Sequence, residues 1–212
     1  MYLSDRDLRW AIECGNLIVD LKPEKIDPTS IDLHLDSAEQ AKVWDLASYN
    51  ADSKLMGHKP DELRIGQFDY KQFAPKYLKQ PTSNPKESVF RRGDEIIIKP
   101  GGFLLWQTKE TVGTPEDGAN LIAFIDGKST RARTGLLVHL TAPTIHASWS
   151  GRVTLEIANL GPFHFVLAEG DSIAQIVVAT ISSIPAETMK QGVTYRQTEV
   201  SAATAPALKS KN

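Results

Sequence analysis

The chain is short of cysteine, of net charge and of long apolar runs, and each shortage removes a class of function. A single cysteine, Cys14, excludes an internal disulfide and a cysteine-rich zinc site, and it fits a reducing cytoplasm. Net charge is −2, so no global basic field is available to hold a nucleic-acid polymer, and any phosphate binding must be local. No apolar run approaches a membrane span, and the opening MYLSDRDLRW has no signal-peptide pattern, so no membrane partner is expected and a cytoplasmic location is. What remains is 212 residues, 41% hydrophobic and 24% charged, long enough to bury a core without staples.

Ser4 followed by Asp5, Arg6 and Asp7 predicts a helix N-cap with acids facing the dipole. Leu8, Ala11 and Ile12 supply an apolar stripe, and Gly15 closes a helix of about three turns. Leu17-Ile18-Val19 resumes as a strand, and from Ser30 the chain alternates with Ile31, Leu33 and Leu35 on one face. Residues 37–86 show no sustained period and read as an insertion of loops with one short helix. Their aromatics, Trp44, Phe68, Tyr70, Phe73 and Tyr77, argue that parts of the insertion pack down. From Glu87 come short β runs: Ser88–Phe90, Glu95–Ile98, Gly102–Trp106, Glu110–Val112, Leu121–Ile125, Phe163–Leu167 and Ile173–Val178. Such spacing argues a barrel or a sandwich, with residues 1–180 as one domain and 181–212 as a loose polar tail.

The densest chemistry lies between Gly127 and Asn159. Gly127 lets backbone approach a ligand, and Lys128, Ser129 and Thr130 offer one cation and two hydroxyls. The turn reads as a phosphate cradle or as a solvated basic loop. In a helical turn Ser129 and Arg133 point the same way, and Gly135 ends it in a left-handed conformation. A strand over Leu136–Thr141 follows, with Leu136, Val138 and Leu140 on one face and Leu137, His139 and Thr141 on the other. Ala142-Pro143 breaks it, and the chain reverses through Thr144–Ser150. In the return strand Arg152–Asn159, Val153, Leu155 and Ile157 oppose Arg152, Thr154, Glu156 and Ala158. Glu156 is either an ordinary surface glutamate or a carboxyl desolvated in a cleft and suited to shuttling a proton.

Taken together, G-K-S-T-x-A-R-x-G-L-x-V-H-x-T-A from Gly127 to Ala142, then Trp149-Ser150-Gly151 and Leu155-Glu156-x-x-Asn159, resembles the dCTP deaminase branch of the dUTPase superfamily. The helix-then-L-I-V opening and the strand after Ser30 are similar to further family segments. The resemblance implies a mainly β, distorted jelly-roll barrel of the dUTPase-like type with a short N-terminal helix, assembled as a homotrimer with sites between subunits. It implies metal-free hydrolytic deamination of dCTP to dUTP and ammonia. Glu156 would shuttle the proton, Ser129 and the Ala142 carbonyl would place the water, and Arg133 would orient Glu156. Lys128, Ser129 and Thr130 would meet the triphosphate with its Mg²⁺, and Thr141 and the hairpin backbone would read the pyrimidine. Tyr195 and Arg196 match part of a C-terminal pattern that folds over the nucleotide.

The chain also departs from the pattern. The zinc deaminase signatures H-x-E and P-C-x-x-C are absent, so no zinc is expected. His146 stands where the family has an aspartate that meets the sugar; it can donate a hydrogen bond but supplies no standing carboxylate. Pro143 replaces a histidine that many members carry after T-A, and His139 reads as a structural cross-strand residue. Two alternatives follow: a dUTPase or bifunctional deaminase/dUTPase, and a nucleotide-binding regulatory trimer without turnover.

Overall fold

The first helix, α1 (Asp5–Glu13), forms where its caps dictate, as seen in the computed structural model, which describes residues 1–55 and 57–186. The Ser4 hydroxyl accepts from Asp7 N while the Asp7 carboxylate accepts from Ser4 N, a reciprocal capping box. Leu8 and Ala11 are buried, and Gly15 follows at φ 74°, the predicted stripe and stop. After β1 (Ile18–Val19), β2 (Ile31–His34) buries Ile31 and Leu33, with Leu35 buried just beyond, and leaves Asp32 and His34 half-buried on the opposite face.

Beyond β3 (Val43–Trp44) the insertion holds two helices rather than one, α2 (Leu46–Leu55) and α3 (Tyr70–Tyr77), before β4 (Leu78–Lys79). Neither announces itself by periodicity. Of α2 only Ser53 is buried, and α3 carries Pro75 inside it. An aromatic belt organises them instead. Phe68 meets Phe73 with ring centroids 5.1 Å apart, Tyr77 meets Tyr49 at 5.4 Å, and Phe73 meets Tyr77 at 5.6 Å. Trp44–Lys79 forms one compact unit; Met1–Val43 and the described residues from Gln80 onward form the other.

The larger unit is mainly β. It continues with β5 (Val89–Arg92), β6 (Glu95–Ile98), β7 (Phe103–Gly113), β8 (Leu121–Gly127), α4 (Ser129–Ala132) and β9 (Leu136–Val138). Then come β10 (Thr144–Ile145), β11 (Ser150–Asn159), β12 (Phe165–Ala168) and β13 (Ser172–Thr180). The sheet orders are β1-β7-β11-β9, β10-β8-β13-β2 and β12-β6-β5, with antiparallel neighbours. Leu33, Leu104, Leu155, Ile157, Ile176 and Val178 are wholly buried between strands. Trp106 is buried too, its indole N–H donating to the Asp36 and Ser37 carbonyls.

Of the strand boundaries that differ from the sequence reading, three have a clear physical reason. The runs Gly102–Trp106 and Glu110–Val112 belong to one strand, β7, because Gln107 and Thr108 between them are buried with partners: Gln107 donates to Asp36 and Thr108 Oγ1 to the Glu110 carbonyl. The strand expected over Leu136–Thr141 stops at Val138, since His139 adopts φ 52° and turns the chain, leaving Leu140 exposed. The return strand starts at Ser150, and the reversal before it carries β10, which pairs with β8 in the other sheet.

Candidate active site

β11 is an inner strand. Glu156 faces Leu105 of β7 on one side, and Ile157, Ala158 and Asn159 face Val138, Leu137 and Leu136 of β9 on the other. That register continues one step past β9: His139 N donates to the Glu156 carbonyl at 2.8 Å, which makes the two residues cross-strand neighbours. Their side chains meet as well, His139 Nδ1 lying 2.7 Å from Glu156 Oε2. Both atoms are shut off from solvent, and neither has a well-aligned hydrogen-bond partner, so the short distance identifies each as the other's polar neighbour.

The His139 side chain is 2% exposed and that of Glu156 37%. One carboxylate oxygen is therefore pinned at a buried imidazole while the side chain stays reachable from outside. Such a group can take a proton from a water and hand it on without first reorienting. His139 itself sits at φ 52°, in the left-handed region, where the chain turns out of β9.

The basic turn is helical: Arg133 N donates to the Ser129 carbonyl at 3.4 Å, and Gly135 follows at φ 94°. Gly135 also allows a backbone crossing, since its carbonyl accepts from Leu160 N and a Cβ on it would lie 2.3 Å from Gly161 N. Lys128 is not a free cation. Its Nζ lies 2.5 Å from Asp32 Oδ1, and the second oxygen of Asp32 accepts from Ser172 Oγ at 3.0 Å. Ser129, Thr130 and Arg133 are exposed on α4 and its C-cap, and Thr141, Ala142 and His146 are exposed on the connection from β9 to β11.

The fold thus brings Glu156 to His139 and Lys128 to Asp32. Within one chain it does not bring Arg133 to Glu156: among the described residues no carboxylate stands within ion-pair distance of that guanidinium. Tyr195 and Arg196 lie outside the described residues. Sequence reasoning missed the His139 contact and the role of Asp32. The antiparallel register of β9 and β11 was the signal for the first, because pairing Asn159 with Leu136 sets His139 opposite Glu156. Among the described residues no three His, Cys, Asp or Glu side chains converge so as to hold a metal ion, and no helix is long and apolar enough to cross a membrane.

Residues 2–181 match the sequence model of the dCTP deaminase-like family. The chain is 37% identical over 189 residues to the dUMP-forming dCTP deaminase of Thermobifida fusca (strain YX), covering 88% of this chain and 81% of that one. It is 32% identical over 191 residues to the dCTP deaminase of Marinomonas sp. (strain MWYL1), covering 86% and 84%. The crystal structure of 2'-deoxycytidine 5'-triphosphate deaminase from Agrobacterium tumefaciens shares the fold, with a TM-score of 0.54 at 16% identity. That match covers 84% of this chain and 48% of the other, so the present chain spans about half its length. The likeness read from Gly127–Asn159 therefore extends over most of the sequence, and the protein belongs to the dCTP deaminase-like family.

Proposed function

We propose that this chain deaminates dCTP, adding water to C4 of the cytosine ring and releasing ammonia to leave dUTP. The observation that carries the reading is Glu156, fixed on an inner strand and pinned through Oε2 at His139, in a chain whose relatives bear the name dCTP deaminase. In the reaction Glu156 takes a proton from the attacking water as its oxygen bonds to C4, and passes it to the ring nitrogen N3. The hydroxyl now on C4 then gives its proton, by way of Glu156, to the amino group, which leaves as ammonia as the C4 carbonyl forms; one water is consumed per ammonia released.

His139 holds Glu156 in place. Ser129 and the Ala142 carbonyl would position the water, and Arg133 would steady the developing charge. Among the described residues Arg133 reaches no carboxylate, so its guanidinium is open to a site shared between subunits, as in the homotrimer that the family resemblance implies. Lys128, Ser129 and Thr130 would bind the triphosphate, Thr141 and Ala142 the pyrimidine, and His146 the sugar as a donor, with Tyr195 and Arg196 closing over it. Mg²⁺ would arrive with the triphosphate: the described residues offer it no protein cage, so phosphate oxygens and water would be its ligands. We place the fold with the distorted jelly-rolls and the enzyme in the cytoplasm.

A second reading has support in the Thermobifida relative, whose name adds dUMP formation. His146, with no carboxylate to activate a second water, counts against it. One experiment separates the two. Ammonia, dUTP, dUMP and pyrophosphate are measured with dCTP and Mg²⁺, beside dUTP and dCMP as substrates, for the wild type and Glu156→Gln. Ammonia with dUTP, lost by at least about 10²-fold in Glu156→Gln, is the expected result. Pyrophosphate from dCTP would establish the bifunctional enzyme. Triphosphate binding without turnover would sink the enzyme reading and leave a regulatory trimer.

A further inference from the structure

The unit Trp44–Lys79 takes no part in the chemistry proposed above, yet its aromatic belt does not close on itself. Trp44, Tyr49, Phe68, Phe73 and Tyr77 line a half-open cavity of about 130 Å³ with Asp45 and Asp61 in its wall. Of the five rings only that of Tyr77 is buried; the other four are half-buried, so the cavity can be entered from solvent. A cavity of about 150 Å³ accepts benzene, so this one suits a group of about six heavy atoms.

Charge selects among such groups. Asp45 is committed to its own unit, accepting from Ser48 N at 3.2 Å, Ser48 Oγ at 2.9 Å and Lys79 Nζ at 3.1 Å. Asp61 is not neutralised in that way. Its Oδ1 accepts from Asn50 Nδ2 at 2.7 Å and its N–H donates to Asn50 Oδ1 at 2.8 Å, so a neutral amide clamps it on both sides. Among the described residues no cation lies within ion-pair distance of its carboxylate, and its backbone is held at φ 61°. No lysine or arginine lines the cavity.

An anionic guest such as a nucleotide would meet a carboxylate and ring faces there, with no compensating donor charge. A cation would meet the negative faces of the rings and the carboxylate together. The belt already receives one cation, since Lys76 Nζ sits 5.1 Å from the centroid of the Tyr77 ring. We infer that the cavity binds a small alkylated ammonium ion, of the size of the trimethylammonium head of choline, with the rings as its cage and Asp61 as its counter-charge.

The test titrates the full-length protein with choline and, separately, with its uncharged isostere 3,3-dimethylbutan-1-ol, following tryptophan fluorescence. Trp44→Phe assigns the signal. Asp61→Asn removes the charge while keeping both Asn50 contacts, and asparagine tolerates a positive φ. Choline should give a saturable change that disappears in Trp44→Phe, with the isostere at least about tenfold weaker. Asp61→Asn should weaken choline about fivefold or more and leave the isostere unchanged. Equal affinity for the two probes would reduce the cavity to an apolar void and overturn the inference. So would no saturable change with choline at about 10 mM, or a response that survives Trp44→Phe. Turnover of dCTP plays no part in the readout, so failure here and failure of the proposed deaminase activity are distinguishable.

Discussion

Replacing Gly135 by alanine should cost far more than the loss of one glycine's freedom. Gly135 sits at φ 94°, and an added Cβ would stand 2.3 Å from Gly161 N and 2.4 Å from Gly161 Cα, both backbone atoms. The neighbour cannot move aside cheaply. Gly161 N donates to Asn159 Oδ1 at 2.9 Å, and the wholly buried Asn159 spends its Nδ2 on the Ile98 and Phe163 carbonyls. Separating the strands of this crossing would break that bond and the one from Leu160 N to the Gly135 carbonyl at 2.9 Å. The left-handed backbone costs a substituted residue about 1 kcal/mol, and each broken bond costs about as much, for a loss of about 3 kcal/mol. In a chain of 212 residues that lowers Tm by about 9 °C.

Gly15→Ala is the reference. It sits at φ 74° with nothing within 4 Å of its would-be Cβ, so it bears the backbone cost alone. That cost is about 1 kcal/mol, or about 3 °C. Thermal unfolding of both variants, followed by circular dichroism, decides the matter. If Gly135→Ala melts with Gly15→Ala, the crossing yields easily and the reasoning is wrong.

Ser148 occupies φ 67°, so Ser148→Gly should raise Tm by a few degrees, about 1 kcal/mol; a lower Tm would show that its buried side chain outweighs the strain. His139→Leu should cut kcat for dCTP by about 10²-fold with KM little changed, and unaltered kcat would remove His139 from the positioning of Glu156. Asp45 is held below the ordinary carboxyl value of 3.8, chiefly by the Ser48 amide, and Asp52 likewise, chiefly by Lys76. A depressed folded value gives stability that is full above the unfolded value and drains away as pH falls through the folded one. Trp44 fluorescence should therefore hold steady from neutral pH to about 4 and change below it, with a smaller change in Asp45→Asn. A transition centred near neutral pH would refute the assignment.

The parts of this protein that the sequence discloses are those set by neighbours along the chain. Ser4 and Asp7 declare a helix start through their own spacing, and Ile31, Leu33 and Leu35 declare a buried face through alternation. Glu156 is legible as the one acid of its strand, and the family pattern around it is dense enough to suggest its use. The rest depends on contacts that local pattern does not carry. Gln107 and Thr108 look like a strand break until their partners across the sheet are known. His139 looks structural because its acid lies across the hairpin and not beside it in sequence. The helices of the insertion stay hidden because rings, not an apolar stripe, hold them.

The placement of Glu156 on β11 also says where motion can and cannot occur. Its segment of backbone is laddered to β7 on one side and tied to His139 on the other, so the carboxylate behaves as a fixed anvil. Whatever rearranges as a ligand arrives and departs falls to the exposed parts around it, α4 and the connection that carries Thr141, Ala142 and His146. Amide hydrogen exchange would report this as slow exchange along β11 and fast exchange over residues 140–142, ahead of the paired β10. Occupancy would then be written in the loop's protection and leave that of the strand unchanged.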